Sequence, residues 1–211
     1  MKINRISLGP LQTNAYLAWE EPESAVLIDP GDEAHKLLPW IESTGVKPVA
    51  AVLTHAHFDH LGALNEVVAA YDLNVYLHPE ALPVYQRAAN SAARWGFKIP
   101  QPSTEPLHML PEGELKLGPG FKVLHLPGHC PGHLGLYNAK AGVIFSGDVL
   151  FSGGVGRWDI PSANREVLAA SIRKLFELPL ETVVHPGHGP ATTLQNELQN
   201  NIYVQSWLTS S

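Results

Sequence analysis

Short apolar runs alternate with helically spaced apolar positions along the chain, and this alternation predicts a fold of mixed strands and helices. Two strand-like runs near the N-terminus are separated by Gly9-Pro10, which is typical of a hairpin. In the first half we predict strands at residues 3–8, 14–19, 25–28, 49–54 and 74–77 and helices at 32–44, 61–71 and 79–87. In the second half we predict strands at residues 114–117, 121–126, 134–137, 143–145 and 182–184 and helices at 164–177 and 193–203.

The pattern fades between residues 90 and 111, where prolines at positions 100, 102, 106 and 111 interrupt any regular element. We expect a long loop or a short arm inserted there, of a size that often carries function. Because no internal repeat or low-complexity linker is evident, residues 1–211 are predicted to form a single domain. Two strand-rich halves, each with its own helices, indicate two sheets with helices on the outside.

Composition and charge narrow the class of protein. Hydrophobic residues make up 45% of the 211 residues, which is typical of a globular chain with a sizeable core. The net charge of −6 gives no basic field for a phosphate backbone, so we expect no nucleic-acid partner. Cys130 has no second cysteine to pair with, and no apolar stretch has the length of a signal peptide or a membrane span. We therefore expect a cytoplasmic protein without a membrane partner, and the oligomeric state stays open.

The strand predicted at residues 49–54 runs into three histidines and an aspartate in the sequence T-H-A-H-F-D-H. Side chains two apart on an extended segment point the same way, so His55 and His57 are expected to bind one metal ion together. Where the chain bends into the next helix, Asp59 and His60 would turn toward a second position nearby. Open sheets place their sites at such strand ends, and the alternative is a polar turn with solvated histidines.

Three further residues follow predicted strands in the same way. His129 lies in P-G-H after residues 121–126, Asp148 in S-G-D after 143–145, and His188 in P-G-H-G after 182–184. Each lies beside a glycine, which lets the backbone approach closely. One arrangement repeated at four strand ends indicates a shared site more strongly than any single motif does.

This set of motifs resembles the metallo-β-lactamase superfamily. The resemblance runs through D-P-G at residues 29–31, then T-H-A-H-F-D-H, P-G-H, S-G-D and P-G-H-G, all in the family's order. It implies an α+β fold, an αββα sandwich of two mixed sheets with helices outside and metals at one edge. It also implies the ligands: a first metal held by His55, His57 and His129, a second held by Asp59, His60 and His188, and Asp148 as a bridge.

The other histidines and the cysteine have more ordinary interpretations. His133 fits either a contact behind the ligands or a surface position at the start of a strand, and His185 is expected to pack or to support a ligand. Cys130 adjoins a proposed ligand, but neighbouring side chains on extended backbone diverge, so we do not expect it to bind metal. The histidines without ligand-like spacing are expected on the surface or in the core: His35, His78, His108 and His125.

Two divalent ions, zinc first and iron or manganese as alternatives, would supply a hydroxide at neutral pH and a Lewis acid for a carbonyl oxygen. Asp59 and Asp148 are the residues we expect to act in catalysis, Asp59 by orienting the nucleophile as well as by binding metal. Such a site suits hydrolysis of an ester, thioester, lactam or lactone, and the fold alone does not choose among them.

The segment after Asp148 favours a thioester. G-G-V-G-R-W-D at residues 153–159 resembles the loop of glyoxalase II in which a basic residue and a tyrosine hold the glycine carboxylate of glutathione. Arg157 matches the basic position and is our candidate for substrate binding, whereas Asp159 stands where the tyrosine is expected. G-H-G-P and T-T-L, at 187–190 and 192–194, resemble the short bacterial glyoxalase II-like hydrolases. The resemblance implies hydrolysis of a small-molecule substrate, S-D-lactoylglutathione or a related acyl thioester.

A persulfide dioxygenase, which uses one iron on the same scaffold, is the alternative function. Its loop reads G-R-x-D-F, and G-R-W-D-I at residues 156–160 resembles that loop more than the one with tyrosine. The resemblance implies that the equivalents of His55, His129 and Asp148 would hold the iron. The G-P pair at 189–190 departs from the dioxygenase pattern and favours the hydrolase. A nuclease and a non-catalytic metal-binding protein are weaker alternatives.

Overall fold

Two six-stranded β-sheets face each other in the computed structural model, which describes residues 1–105 and 107–209. The first sheet is built, in spatial order, by β1 (Lys2–Leu8), β2 (Thr13–Trp19), β3 (Ala25–Ile28), β4 (Pro48–Val52), β5 (Asn74–Leu77) and β6 (Leu107–Met109). The pairs from β1 to β3 are antiparallel, and the pairs from β3 to β6 are parallel.

The second sheet comes from the second half of the chain. Its strands are β7 (Gly113–Leu115), β8 (Phe121–His125), β9 (Leu134–Asn138) and β10 (Val143–Gly147), and a small hairpin of β11 (Leu150–Phe151) and β12 (Gly154–Val155) follows them. The sheet is completed by β13 (Val183–Pro186) and β14 (Thr192–Thr193), and its order is β14-β13-β10-β9-β8-β7. The β10–β13 pair is parallel, and the other pairs are antiparallel.

Helices connect the strands of each half. The α-helices are α1 (Ala34–Ser43), α2 (Leu64–Tyr71), α3 (Leu82–Tyr85), α4 (Ala88–Arg94), α5 (Arg165–Leu175), α6 (Leu194–Asn200) and α7 (Ile202–Thr209). Single 3-10 turns lie at Pro22–Ser24, Phe58–His60 and Pro79–Ala81. None of the helices in the described part of the chain combines the length and the apolar character that crossing a bilayer requires.

Three groups of buried side chains define four layers. Tyr16 and Ile28 of the first sheet pack with Phe121 and Phe145 of the second, so this group fills the space between the sheets. On the outer face of the first sheet, α1 and α2 contribute apolar side chains, and on that of the second sheet α5 and α7 do so. Burying one such side chain stabilises the fold by about 1.5–3 kcal/mol. The α+β sandwich with helices outside is therefore confirmed.

Each predicted strand lies within two residues of its predicted bounds, whereas the short strands β6, β11, β12 and β14 were not predicted. The helices differ more from their predicted bounds. The helix predicted at 61–71 begins at Leu64, because residues 58–60 form a 3-10 turn instead. The helix predicted at 79–87 is a 3-10 turn followed by the short α3. The helix predicted at 193–203 is divided into α6 and α7, because Asn201 has extended backbone between them.

Residues 90–111 are more regular than the loop or arm that the prolines predict. Helix α4 occupies residues 88–94, where four alanines favour helix, and β6 adds a parallel strand beside β5. The prolines at 100 and 102 fall in the irregular stretch between them, the proline at 111 follows β6, and position 106 lies outside the described residues. That the segment is inserted into a single domain of residues 1–211 stays a prediction.

The topology brings the ends of several strands to one edge of the sandwich. The parallel strands β3 and β4 end together, as do β10 and β13 of the other sheet. The two edges are joined directly, since the Leu134 amide donates a 2.7 Å hydrogen bond to the Thr54 carbonyl. The predicted ligands at 55–60, 148 and 188 follow these strand ends.

Candidate metal centre

Imidazole nitrogens and carboxylate oxygens converge at this edge. His57 Nδ1 lies 2.9 Å from His129 Nε2, and His188 Nε2 lies 3.3 Å from Asp59 Oδ2. Three groups of donors result, each with its atoms within 4.8 Å of one another: His55 with His57 and His129, Asp59 with His60 and His188, and Asp29 with His55 and His60. We call the first two of these groups the first and the second trio.

Asp148 lies between the two trios, and its carboxylate is close to histidines of both. Its Oδ2 is 3.6 Å from His129 Nε2 of the first trio and 3.5 Å from His188 Nε2 of the second. Its Oδ1 is 3.4 Å from His60 Nε2. All seven residues that the sequence predicts as metal ligands are thus brought together.

Several donor atoms are buried without a hydrogen-bond partner among the described residues, which is costly unless a metal ion binds them. They are His55 Nε2, His60 Nε2 and Asp148 Oδ1. The side chains of His55 and His60 are fully buried, so bulk water does not reach their ring nitrogens. Neutral imidazole with carboxylate is a donor set that suits zinc or iron, and the residues present fit such ions.

The buried carboxylate of Asp29 orients two of the rings from behind. It accepts hydrogen bonds from the Thr54 amide at 2.7 Å, from Thr54 Oγ1 at 2.6 Å and from His60 Nδ1 at 3.0 Å. Because the Thr54 hydroxyl donates to Asp29, it accepts from His55 Nδ1 at 3.1 Å. Both rings therefore keep their Nε2 lone pairs for the trios, as ligand histidines do when the other nitrogen donates.

Other ligands are also held from outside the trios, each by one hydrogen bond of about the usual length. These bonds run from Thr13 Oγ1 to Asp59 Oδ2 at 2.9 Å, from His129 Nδ1 to the Arg157 carbonyl at 3.0 Å, and from His188 Nδ1 to the Leu11 carbonyl at 3.0 Å.

Strand β2 of the first sheet fixes the loop that carries His188 of the second half. Asn14 Nδ2 donates to the carbonyls of Pro186 and Gly189, each at 2.9 Å, and the Tyr16 hydroxyl donates to the Pro186 carbonyl at 2.6 Å. The second trio therefore depends on contacts between residues about as far apart in sequence as the chain allows.

Two glycines beside Asp148 allow the strand ends to approach. A Cβ on Gly147, which has a φ of 47°, would lie 2.5 Å from Thr54 Oγ1. A Cβ on Gly187 would lie 2.2 Å from Asp148 Oδ1. No side chain fits at either position without displacing a ligand or the group that supports it.

Burial keeps two rings of the first trio, those of His55 and His57, neutral. It lowers the pKa of His55 well below its ordinary value, and the neighbouring histidines add to the effect. Burial and the nearby His129 lower the pKa of His57 to about 3. Neutral imidazole is the form that binds metal, so these rings are ready to act as ligands without losing a proton.

Carboxylates dominate around the second trio. Burial disfavours charge on His60, but Asp148 and Asp59 outweigh it and raise the pKa of His60 well above its ordinary value. Burial opposes the charge of His188 too, yet hydrogen bonds to the same carboxylates raise its pKa to about 10. In turn, although burial raises the pKa of Asp59, His60 and His188 together bring that pKa down to about 2. These carboxylates therefore favour a cation at the second trio. A bound divalent ion would replace one ring proton on His60 and one on His188.

The structure shows the positions of the two histidines and the cysteine for which the sequence allowed more than one interpretation. His133 is fully buried behind the ligands, where its Nε2 accepts the Asp148 amide at 3.0 Å and its ring stacks on His55. His185 packs as expected, stacked on Phe145 with ring centroids 5.2 Å apart. Cys130 is buried and belongs to none of the donor groups found among the described residues, and burial raises the pKa of its thiol.

A further group of donors, formed by His78, Glu80 and His125, does not suit a metal ion. Its atoms also lie within 4.8 Å of one another, but the two rings are stacked with centroids 4.1 Å apart and planes inclined by 12°. An ion lies in the plane of each imidazole that binds it, and two stacked parallel rings cannot both meet this condition.

A cleft of about 1010 Å³ opens above the trios. Its lining is largely apolar, with Phe58, Trp95 and Ile160 among the contributors, and His57, Asp59, His129, Asp148 and His188 lie at its floor. The size and the lining suit a small molecule whose reacting bond is held at the donors.

Arg157, the candidate for substrate binding, lines this cleft, and its side chain is also paired with a carboxylate. Its Nε and Nη2 lie 2.9 and 3.1 Å from the two carboxylate oxygens of Asp159, and the guanidinium lies 5.8 Å above the ring of Trp95. Its side chain is 56% exposed, so the ion pair is weak and can exchange with a substrate carboxylate.

Local sequence patterns do not reveal the residues that support the predicted ligands. Asp29 belongs to a D-P-G turn, and nothing in the pattern marks Thr13 or Thr54. A buried aspartate in D-P-G, directly after an apolar strand, was the available signal. The sequence pattern also does not identify two arginines that line the cleft. Arg87 lies at the start of α4 and Arg94 at its end.

Comparison with known proteins gives the family. The family model of the metallo-β-lactamase superfamily matches residues 8–188. The chain is 36% identical to the protein named hydroxyacylglutathione hydrolase GloC of Haemophilus influenzae, over 98% of this chain and 99% of the relative.

Two solved structures are similar along almost their whole length. TTHA1623, crystallised in a di-iron-bound form, is 51% identical with a TM-score of 0.88 and covers 95% of this chain and 99% of its own. BLEG-1, described as a B3 metallo-β-lactamase, is 39% identical with a TM-score of 0.90 and covers 96% of this chain and 99% of its own. The chain therefore belongs to the metallo-β-lactamase superfamily, whose metal-dependent hydrolases it resembles in fold and in its edge of imidazole and carboxylate donors.

Proposed function

We propose that the chain is a binuclear metallohydrolase that cleaves acyl thioesters, with S-D-lactoylglutathione as the first candidate substrate. The observation that carries the proposal is the pair of donor trios around Asp148 at the floor of a cleft that holds Arg157. The name of the Haemophilus influenzae relative supports the choice of thioester.

In this proposal His55, His57 and His129 bind one divalent ion, and Asp59, His60 and His188 bind the other. Asp148 would contact both ions, since its Oδ2 lies between His129 and His188 and its Oδ1 lies near His60. Zinc is the first choice of metal, and iron is supported by the di-iron form of TTHA1623. When bound, the ions would supply a hydroxide at neutral pH and polarise the carbonyl oxygen of the substrate.

The side chains around the ions position the reactants. Asp59 uses Oδ2 to accept the Thr13 hydroxyl, and its Oδ1 makes no hydrogen bond within the described part of the chain. We infer that Oδ1 orients the nucleophile for attack. The thiol half of the substrate leaves as a thiolate, and because thiols are much more acidic than amines, no strong general acid is needed.

The same reasoning separates thioesters from β-lactams. An amine leaving group must gain a proton, and the one acidic side chain in the described cleft lining besides Asp59 and Asp148 is Glu80, which is largely exposed. We therefore expect β-lactam hydrolysis to be weak, although BLEG-1 is described as a β-lactamase. Persulfide dioxygenation remains the second candidate, since G-R-W-D at residues 156–159 follows the dioxygenase pattern.

Replacing His188 tests the binuclear assignment. His188→Ala should remove about one of two metal equivalents, because the first trio stays intact while the second loses one of its three ligands. Elemental analysis after gel filtration measures the content, and His108→Ala, which alters an exposed histidine bonded to Asn74, is the matched control. Two full equivalents in His188→Ala would show that His188 is not a ligand.

Release of a thiol from S-D-lactoylglutathione tests the activity. Protein loaded with zinc or iron should release a free thiol from this substrate, which a chromogenic disulfide detects. The same protein should take up no oxygen when it is given glutathione persulfide. A parallel assay with a chromogenic cephalosporin should give a much lower rate. Oxygen uptake with one bound iron, and no hydrolysis of several acyl-glutathiones, would replace this proposal with the dioxygenase.

Paired variants test the contact between Arg157 and the substrate. Arg157→Ala should raise KM for S-D-lactoylglutathione about threefold or more with little change in kcat, as expected for lost uniform binding. Asp159→Asn should leave KM unchanged or lower it, because it frees the guanidinium from its present partner. Metal content should stay constant, since His129 contacts the backbone of Arg157. An unchanged KM in the Arg157→Ala variant would show that Arg157 is a surface residue that does not contact the substrate.

A further inference from the structure

One wall of the cleft is a polar helical face that the proposed function does not yet use. Helix α4 is amphipathic over two turns, and its buried face consists of Ala88 and Ala92, both fully buried. The residues spaced i, i+3, i+4 and i+7 on the other face all line the cleft: Arg87, Asn90, Ser91 and Arg94. This helix therefore presents two guanidinium groups, two turns apart, to the space above the trios.

Neither guanidinium has a partner in the part of the chain that the structure describes. Among the described residues, no hydrogen bond or ion pair involves the side chain of Arg87 or Arg94, whereas Arg157 and Arg165 each pair with a carboxylate. The chain carries 20 acidic residues and has a net charge of −6, so partners are not scarce. Two unpaired guanidiniums on one face repel each other weakly, and a bound anion would relieve this.

The charge of the cleft is positive once the proposed ligands are set aside. Arg87, Arg94 and Arg157 line it, and Glu80 is the one acidic side chain other than Asp59 and Asp148 in the described lining. Glu80 lies 3.5 Å from His125 Nε2 and is itself largely exposed. At about 1010 Å³ the cleft is also much larger than a lactoyl group needs, so space remains for the thiol half of a substrate.

Trp95 joins this wall to the opposite one. It follows Arg94 at the end of α4, is 56% exposed, and lies under the guanidinium of Arg157. The three arginines are therefore distributed over both walls of one cleft and not scattered over the surface. Guanidinium groups recognise carboxylate and phosphate through paired hydrogen bonds, which makes such a cleft selective for anions.

We propose, resting on the function above, that Arg87 and Arg94 bind anionic groups on the thiol half of the substrate. The substrate class is then an acyl thioester of a thiol that carries at least two anionic groups, either carboxylates as in glutathione or phosphates as in coenzyme A. The acyl group lies at the trios, and the thiol half extends along α4.

Binding of a stable thioether tests this assignment without turnover. Calorimetry with metal-loaded protein would compare S-hexylglutathione, its dimethyl ester and the hexyl thioether of coenzyme A. Arg87→Ala and Arg94→Ala should each weaken binding of the charged glutathione or coenzyme A probe about three- to tenfold. Arg165→Ala, which removes a guanidinium stacked on Trp207 outside the cleft, is the matched control and should bind as the unaltered protein does. Whichever probe shows the larger loss identifies the carboxylate or the phosphate carrier.

Two results would overturn the inference. One is equal affinity of the unaltered protein for S-hexylglutathione and its dimethyl ester, and the other is unchanged binding of both charged probes in the double variant Arg87→Ala/Arg94→Ala. Thermal unfolding of each variant checks that the exposed substitutions leave the fold intact.

Kinetics separate this inference from the proposed function. The KM of lactoylglutathione would be compared with that of lactoyl-N-acetylcysteamine, which is neutral, and the double variant should narrow the ratio between them. Turnover of both thioesters with a ratio near one in the unaltered protein would leave the thioesterase standing and remove the anion site. Arginine-dependent thioether binding without turnover of either thioester would keep the anion site and remove the thioesterase.

Discussion

The buried carboxylate of Asp29 is the group on which the rest of the site depends. It lies at the end of β3 with 2% exposure and a φ of 50°, and its three hydrogen bonds come from Thr54 and His60. Bonds to a charged group contribute about 1.5–3 kcal/mol each, so together they offset the cost of burying the charge. They also tie the end of β3 to the segment after β4 and turn His55 and His60 toward the two trios.

The other ligands reach the trios because of how the sheets are connected. In each sheet a parallel pair ends at the same edge. The segment after β4 carries His55 in the first sheet, and the segments after β10 and β13 carry Asp148 and His188 in the second. Asn14 and Tyr16 of the first sheet then hold the loop of the second. The order of the strands thus places the donors, and hydrogen bonds to backbone carbonyls set their rotations. Under the proposed function, the cleft above this edge would gain its selectivity from residues outside the two trios, on α4 and on the loop of Arg157.

Local patterns predicted what depends on neighbours in sequence. The alternation of apolar residues gave the strands, and T-H-A-H-F-D-H together with the three glycine-flanked ligands gave the donors that meet at one edge. Contacts between distant segments could not be predicted in this way, since Thr13 and Asp59 lie 46 positions apart. Helix α4 was not predicted, because the prolines that follow it interrupt the pattern of the segment. The position of Arg87 and Arg94 in the cleft depends on how that helix packs. The position of His133 behind the predicted ligands depends on the pairing of β9 with β10, which the local pattern around His133 does not indicate.

The central claim is that two metal ions share Asp148. X-ray diffraction from crystals of protein purified without chelators, recorded on both sides of the zinc and iron absorption edges, tests it most directly. The account predicts two anomalous peaks about 3.5–4 Å apart, one bound by the first trio and one by the second, with Asp148 in contact with both. A single peak, or a pair of peaks that Asp148 does not touch, would contradict it.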